Sequence, residues 1–161
     1  MRHLKAGRRL GVPTGHRSSM IRNMVTSLMR HGRIQTTETR AKELRPVAER
    51  IITLSRRVLP SQLAALQGAE LAAAKARRVH AVRMARRWIE DRDVLAKVFS
   101  EYAELFATRP GGYTRIFKLG LRQGDRAPMA LIEILREPYT AKAAPSEGTD
   151  SDSGGDSEAA V

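Results

Sequence analysis

The sequence SSMIRNMVTSLMRHGRIQTTETRAKEL, residues 18–44, contains the signals that decide the fold. Ser18 or Ser19 is predicted to cap a helix, which Gly32 ends in a left-handed conformation. The apolar face of this helix is formed by residues at helical spacing: Met20, Ile21, Met24, Val25, Leu28 and Met29. A short β-favouring run, residues 33–36, follows, and Thr37 then suits the N-cap of a second helix. The stretch therefore predicts helix, strand, helix.

Most of the chain from Glu38 to Phe106 is also predicted to be helical. The second helix carries Pro46, which either kinks it or makes it restart, and Pro60 ends the segment. Residues 61–89 are rich in alanine and predict one continuous helix with a dense arginine surface. Asp91 is the expected cap of the following helix. The apolar members predicted to be buried in that helix are Val94, Leu95, Val98, Phe99, Tyr102, Leu105 and Phe106.

Two β-rich runs, residues 113–121 and 128–135, flank a loop of hairpin size that contains Gly124. Together with the earlier elements they predict an α+β fold in the order α-β-α-α-α-β-β. Helices packed on one face of a small three-stranded sheet would close a single core. We assign residues 1–137 to this domain and residues 138–161 to a tail.

The first 17 residues form a basic arm. The first acid of the whole chain is Glu38, and apolar residues are too sparse in the arm to bury a face. Glycines and a proline interrupt any regular period. We expect such a segment to stay flexible until a polyanion neutralises its cations. A phosphate backbone is the natural polyanion, because each phosphate that the protein neutralises also releases a counterion.

Charge is distributed unevenly along the chain. The 161 residues hold 29 Lys and Arg against 17 Asp and Glu, a net charge of +12. Residues 1–137 carry +16 and residues 138–161 carry −4, so the tail is predicted to be acidic and disordered. A strongly basic body indicates nucleic acid as the first choice of partner and an anionic membrane surface as the second.

The composition argues against several other classes of protein. The chain lacks cysteine, so it has neither disulfides nor thiolate metal sites, and no window reaches the 18 apolar residues of a membrane span. The basic N-terminus is followed by no apolar region, unlike a secretory signal. His3 and His16 have no nearby carboxylate for acid–base chemistry, and Asp91 with Asp93 reads better as a helix cap than as a metal cluster. We therefore expect no enzyme, cofactor, metal or small-molecule substrate.

Several short motifs resemble one family, the L-seventeen family of bacterial large-subunit ribosomal proteins. The resemblance covers roughly residues 1–57 and 76–136. The motifs occur in order along the chain and are Met1-Arg2-His3, Lys5, Gly7-Arg8, His16-Arg17, Arg22-Asn23-Met24, Ile34-Gln35-Thr36-Thr37, Ala41-Lys42-Glu43-Leu44, Gly111-Gly112-Tyr113-Thr114-Arg115-Ile116, Gly124-Asp125 and Ala127-Pro128-Met129-Ala130. Residues 58–75 depart from the short members as a probable helical insertion, and so does the acidic tail.

The resemblance implies a structural constituent of the large subunit of the cytoplasmic ribosome. It would bind ribosomal RNA near the peptide exit side, contact neighbouring large-subunit proteins, and support assembly and translation without catalysis. One copy per ribosome is implied, with no homo-oligomer and no membrane. Tyr113 has glycine and arginine around it and is included among the expected RNA contacts. These are Arg2, His3, Lys5, Arg8, Arg9, His16, Arg17, Arg22, Asn23, Arg33, Lys42, Arg109, Tyr113 and Arg115.

Two other functions share the basic charge. An architectural DNA-binding protein of the nucleoid is the main alternative, although we find no clear recognition helix or dimeric ribbon. A peripheral membrane protein could use the basic segment 77–89, but its apolar residues are needed for a core and Trp88 is expected to be half-buried.

Overall fold

The computed structural model describes residues 7–136. The helices and strands follow one another in nearly the order that the sequence predicts. In chain order they are α1 (Thr14–His31), β1 (Arg33–Thr37), α2 (Glu38–Ser55), α3 (Pro60–Ala65), α4 (Gly68–Arg86), α5 (Arg92–Lys97), a π-helical turn (Val98–Tyr102), α6 (Ala103–Leu105), β2 (Thr114–Leu121) and β3 (Pro128–Ile134). The first six residues of the arm and all of the predicted tail lie outside the described residues.

The three strands form one antiparallel sheet in the order β1-β3-β2. β2 and β3 are the predicted hairpin, and β1 pairs with the other side of β3. Ile34 and Ile116 both stand opposite Ile132, so three isoleucines meet on one face of the sheet. A bulge interrupts the pairing between Lys118 and Gly120 and leaves Leu119 as the additional residue.

The core lies between this sheet face and the helices. α1 and α2 contact the sheet, α4 packs on α2, and the helical stretch from α5 to α6 closes the far side. Two aromatic residues of the core, Phe106 and Tyr113, pack ring against ring with centroids 5.0 Å apart. The α+β fold class is therefore confirmed. The buried cluster comprises Val25, Leu28, Met29, Ala41, Leu44, Ala48, Ile51, Ile52, Ala81, Ala85, Ile89, Val94, Val98, Phe99, Tyr102, Phe106, Tyr113, Ala130, Ile132, Ile134 and Leu135.

The first helix begins earlier than the sequence predicts. Its N-cap is Pro13, and residues 14–17, assigned to the arm from sequence, form its first turn. Ser18 is not the cap, because its hydroxyl donates instead to the carbonyl of Thr14, 3.0 Å away. The glycines of residues 1–17 predict irregular structure there, but Gly15 lies in the first turn of α1. One glycine destabilises a helix by only about 1 kcal/mol, and the packing of a long helix on the core provides more stability than that.

Gly32 ends α1 as predicted. Its φ of +80° is left-handed, and its N–H donates to the carbonyl of Leu28 at 2.8 Å. The Gly32 carbonyl in turn accepts from the N–H of Ile134, so the end of α1 is tied to the end of β3. A Cβ at this position would lie 2.9 Å from Nη2 of Arg136.

The structure corrects two details in the middle of the chain. α2 does not restart at Pro46 but continues through it, with Pro46 on its exposed side, and a kink at this residue stays a prediction. The helix predicted over residues 61–89 is divided, because Leu66 and Gln67 are extended and separate α3 from α4. Alanine content reports helix propensity but does not locate a break between two packed helices. Whether residues 58–75, which include α3, are an insertion stays a prediction.

The last helical stretch buries most of the residues that the sequence predicts, with Leu105 as the exception. Val94, Val98, Phe99, Tyr102 and Phe106 are buried and Leu95 is half-buried, whereas Leu105 is 39 % exposed. Ala103, which was not predicted, is fully buried. The π-helical turn at Val98–Tyr102 has a wider turn than an α-helix, so a constant period of 3.6 residues does not place every residue that follows it.

Two helix caps that the sequence predicts differ in how their side chains are used. Oδ1 of Asp91 accepts from the N–H groups of Asp93 and Val94 at 2.9 and 3.2 Å. Thr37 occupies the N-cap of α2, but its side chain makes no capping bond, and its hydroxyl lies 3.4 Å from that of Thr39. The Asp91 cap is thus confirmed as a side-chain cap and Thr37 only as a cap position.

We expect Asp91→Ala to lower the thermal midpoint by about 2–4 °C, since a capping bond to two amides is lost. Thr37→Ala should lower the thermal midpoint much less.

The hydrogen bonds from the amides of Val94 and Asp93 hold the pKa of Asp91 below its usual range. A lowered pKa stabilises the fold above about pH 4 and the benefit is lost as pH falls, so the gap between wild type and Asp91→Ala should close in acid. Thermal melts at pH 7 and pH 3 measure both effects. A Thr37→Ala loss equal to that of Asp91→Ala would contradict the assignment.

Candidate nucleic-acid interface

One side of α1 packs on the core and the other side is polar. Val25, Leu28 and Met29 are fully buried, while Arg22 and Asn23 are exposed. Because helical residues three and four apart share a face, the basic and amide side chains are held outward by the burial of the opposite stripe. The helix carries no acid in its first turn, where its positive dipole end already favours anions.

Two shallow grooves run along this polar side. The first is lined by His16, Ser19 and Asn23, with Met20 and Met24 as its apolar part. The second lies between α1 and the connection from α4 to α5. Its residues are Ser19, Arg22, Asn23, Thr26, Ser27, Arg30, Trp88, Glu90 and Asp91. Asn23 lines both grooves, so the structure brings the predicted residues His16, Arg22 and Asn23 to one surface, which we call the α1 surface.

The α1 surface also contains Thr26 and Arg30, which are polar residues of the same helix side but are not among the expected RNA contacts. Both share a helical row with Arg22, at steps of four residues, and this spacing is the signal that could have identified them. Arg30 is partly neutralised, because its guanidinium is ion-paired with Asp91. Arg22 therefore carries the cationic character of the groove more than Arg30 does.

The described start of the arm lies against α2. A Cβ at Gly7 would be 3.4 Å from Oε2 of Glu43, and the Arg8 side chain is 3.7 Å from the same carboxylate. Arg8 remains largely exposed at its side chain despite this ion pair. A surface pair of this kind contributes little to stability. It places Arg8 beside Glu43 of α2.

The carboxylate of Glu38, at the start of α2, is shared by two lysines. The amine of Lys42 lies 2.7 Å from Glu38, and that of Lys118 lies 3.7 Å from it. The hydrogen bond from Lys42 is the main reason that the pKa of Glu38 is lowered. Lys118 comes from β2 and was not predicted, because only the folded sheet brings it next to α2.

The sheet positions two further predicted arginines. Arg33 on β1 and Arg115 on β2 both stand opposite Glu133 of β3. Since Ile132 and Ile134 face the core, Glu133 and its partners belong to the opposite face. Arg33 and Arg115 are exposed there, and neither of them lines the grooves of the α1 surface.

Tyr113 must be removed from the set of expected RNA contacts. Its ring is 1 % exposed, packed on Phe106, and its hydroxyl accepts from the guanidinium of Arg56. A ring enclosed in this way has no face on which a base can stack. The neighbouring glycines suggested an open aromatic, but they belong to a loop that wraps over the tyrosine.

Arg109 belongs to the same loop. It is half-buried and donates to the carbonyl of Gly112 at 3.1 Å, which holds the residues between them in a turn. Of the other predicted contacts, Arg9 is exposed and Arg17 is half-buried on α1. Arg2, His3 and Lys5 lie outside the described residues.

Over residues 7–136 we find no group of three His, Asp or Glu side chains suited to a metal ion. None of the helices in that range is long and apolar enough to cross a membrane. What the arrangement offers chemically is charge and hydrogen bonding. Arginine, asparagine and histidine side chains on a rigid helix can contact phosphates, sugars and base edges.

A comparison with known proteins decides the family. The model of the family described as "Ribosomal protein L17" matches residues 20–135, which include α1 from Met20 onward, the whole sheet and all the helices between them. The chain belongs to the ribosomal protein L17 family. This confirms the resemblance noted from the sequence motifs.

Curated relatives of the L17 family cover most of the chain. "Large ribosomal subunit protein bL17" of Pelobacter propionicus is 46% identical over 143 residues, 89% of this chain and 98% of that protein. The protein of the same name in Myxococcus xanthus is 47% identical over 155 residues, 92% of this chain and 98% of its own length. That of Syntrophus aciditrophicus is 47% identical over 137 residues, covering 85% and 94%.

Proposed function

We propose that this L17-family protein is a structural constituent of the large subunit of the cytoplasmic bacterial ribosome. It binds ribosomal RNA through the α1 surface and the basic arm, and it catalyses no reaction. The observation that carries the proposal is the α1 surface itself. His16, Arg22 and Asn23 project from one helix, and residues 1–37 contain no acid. Two acids outside that range, Glu90 and Asp91, line the second groove, and Asp91 is ion-paired with Arg30.

The remaining predicted contacts extend this surface. Arg8 lies beside α2 and Lys42 lies on it, and Arg9 is exposed next to Arg8 in the chain. Arg33 and Arg115 lie on the outer face of the sheet. Exposed bases on several sides are expected of a protein that is embedded among RNA helices rather than bound at one groove. We propose further, from the family resemblance, that one copy is bound near the peptide exit side with neighbouring large-subunit proteins around it.

Binding of the purified protein to large-subunit RNA tests the proposal. We expect Arg22→Ala/Asn23→Ala to weaken binding about tenfold or more, because an arginine and an amide that contact RNA are both lost. Arg50→Ala provides the control, since it removes an exposed base from α2 outside the α1 surface. Equal losses from the two variants would mean that overall charge, not this surface, determines binding.

Specificity distinguishes the ribosomal role from an architectural role on DNA. The same titrations should include small-subunit RNA and duplex DNA of matched length. The proposal expects tightest binding to large-subunit RNA in moderate salt, and co-sedimentation of the protein with the large subunit in lysates. Equal affinity for duplex DNA at every salt concentration would favour the nucleoid alternative.

A further inference from the structure

The strand β2 exposes large apolar side chains. Within residues 7–136, the exposed large hydrophobic residues are Val79, Leu105, Phe117, Leu119 and Leu121, and the last three lie within five positions of one strand. Leu121 is 66 % exposed and Leu119 is 49 % exposed. Single exposed apolar residues are ordinary on protein surfaces, but several that are close together commonly mark an interaction site.

The position of β2 in the sheet leaves one of its sides available. In the described part of the chain, β2 pairs with β3 and stands at the edge of the sheet. Regular pairing runs from Thr114 to Lys118, and after the bulge at Leu119 the strand pairs again, with Leu121 opposite Pro128. Phe117 stands opposite Leu131 on the outer face, whereas Pro128 shares the face of Ala130, so Phe117 and Leu121 flank the free edge from opposite faces of the sheet. An extended segment from another chain can lie along such an edge, with backbone hydrogen bonds and apolar pockets contributing together.

The surroundings of these side chains are basic. Residues 114–128 contain four bases and one acid. The acid, Asp125, is already bonded to Arg122, and the Arg115 guanidinium lies over the Phe117 ring, 5.8 Å from its centroid. A segment that binds here is therefore favoured if it carries carboxylates beside its apolar residues.

We infer that the free edge of β2, flanked by Phe117, Leu119 and Leu121, is a docking site for an extended segment of another protein, apolar and acidic in composition. The inference rests on the proposed ribosomal function, within which that partner is a neighbouring large-subunit protein. A second copy of this chain is a poor occupant, because two such hairpins would bring eight bases together.

RNA is the less suitable occupant of this particular site. Phosphates and base edges are bound by charged and hydrogen-bonding groups, and two leucines supply neither. Phe117 is one aromatic side chain, whereas proteins that bind single strands by stacking use several aromatic side chains for successive bases. The bases of α1 and the arm are available for RNA elsewhere on the molecule.

A photo-crosslinker at the exposed leucine tests the inference. The variant Leu121→p-benzoylphenylalanine is expressed in cells, large subunits are isolated on a gradient, and the crosslink is mapped by mass spectrometry. We expect one protein, joined through an extended segment that contains apolar and acidic residues. Val79→p-benzoylphenylalanine is the matched control, because Val79 is similarly exposed on α4 but distant in sequence from the hairpin.

A second set of variants measures the contribution of the patch. Placing Phe117→Ser in the crosslinker background should lower the yield about tenfold, as expected for loss of an aromatic anchor, whereas Leu105→Ser should leave it unchanged. A crosslink to RNA, equal yields from positions 121 and 79, or no crosslink from subunits that contain the protein would each overturn the docking site. Absence of the protein from large subunits would instead contradict the proposed function.

Discussion

Deletion of residues 2–12 is expected to reduce the affinity for large-subunit RNA by about two to three orders of magnitude at 0.1 M salt, an estimate that assumes one phosphate for each lost base. The deleted residues hold four bases, Arg2, Lys5, Arg8 and Arg9. The slope of log K against log salt should become shallower by about 3, at 0.7–0.9 for each phosphate. α1 begins at Thr14, so the deletion leaves this helix intact.

The control for this deletion removes the same charge from another element. The quadruple variant Lys75→Ala/Arg77→Ala/Arg83→Ala/Arg87→Ala loses four exposed bases in and just after α4. We expect its slope to change by less than about 1, since the proposed contacts lie in the arm and on α1. Equal changes from the two proteins would show that the arm acts only through total charge, and an unchanged slope after the deletion would remove the arm from the interface.

Replacement of Tyr113 by alanine should lower the free energy of unfolding by about 3–5 kcal/mol, the range for loss of a large buried aromatic side chain. The ring fills the core beside Phe106, and Arg56 both bonds its hydroxyl and stacks near its face at 5.7 Å. Removing it leaves a cavity and a half-buried guanidinium with one acceptor fewer. Chemical denaturation of the free protein measures the loss.

Arg115→Ala is the matched variant, two residues along the chain and exposed on the outer face of the sheet. It should change the free energy of unfolding by less than about 0.5 kcal/mol, as surface substitutions commonly do. Tyr113→Phe, which keeps the ring, should bind large-subunit RNA as the wild type does, whereas Arg115→Ala should bind it more weakly. A stable Tyr113→Ala protein with impaired RNA binding would restore Tyr113 to the interface.

The two sides of α1 connect stability with recognition. Burial of Val25, Leu28 and Met29 fixes the helix, and Gly32 ties its end to β3 through the N–H of Ile134. His16, Arg22 and Asn23 are consequently displayed without much freedom of their own backbone. Side chains held on a helix lose less conformational entropy when they bind a partner such as the proposed RNA. The arm has few apolar residues to order it and does not have this advantage.

Much of the fold was predictable from local signals in the sequence. Gly32 is the residue that a left-handed helix end favours, Asp91 has the side chain that caps free amides, and the two β-rich runs flank a loop of hairpin length. Each signal acts over a few neighbouring residues, so it can be identified in the sequence without knowledge of the tertiary contacts. The basic character of residues 1–37 is likewise a property of the sequence alone.

Tertiary structure decided which of these residues are available at the surface. Tyr113 resembles an exposed aromatic between glycines, yet Phe106 and Arg56 enclose it, and Arg56 lies 57 residues away along the chain. Lys118 and Lys42 meet at Glu38 only because the sheet returns β2 to α2. Burial and charge pairing depend on contacts between distant segments, whereas the composition and spacing of residues report on the segment that contains them.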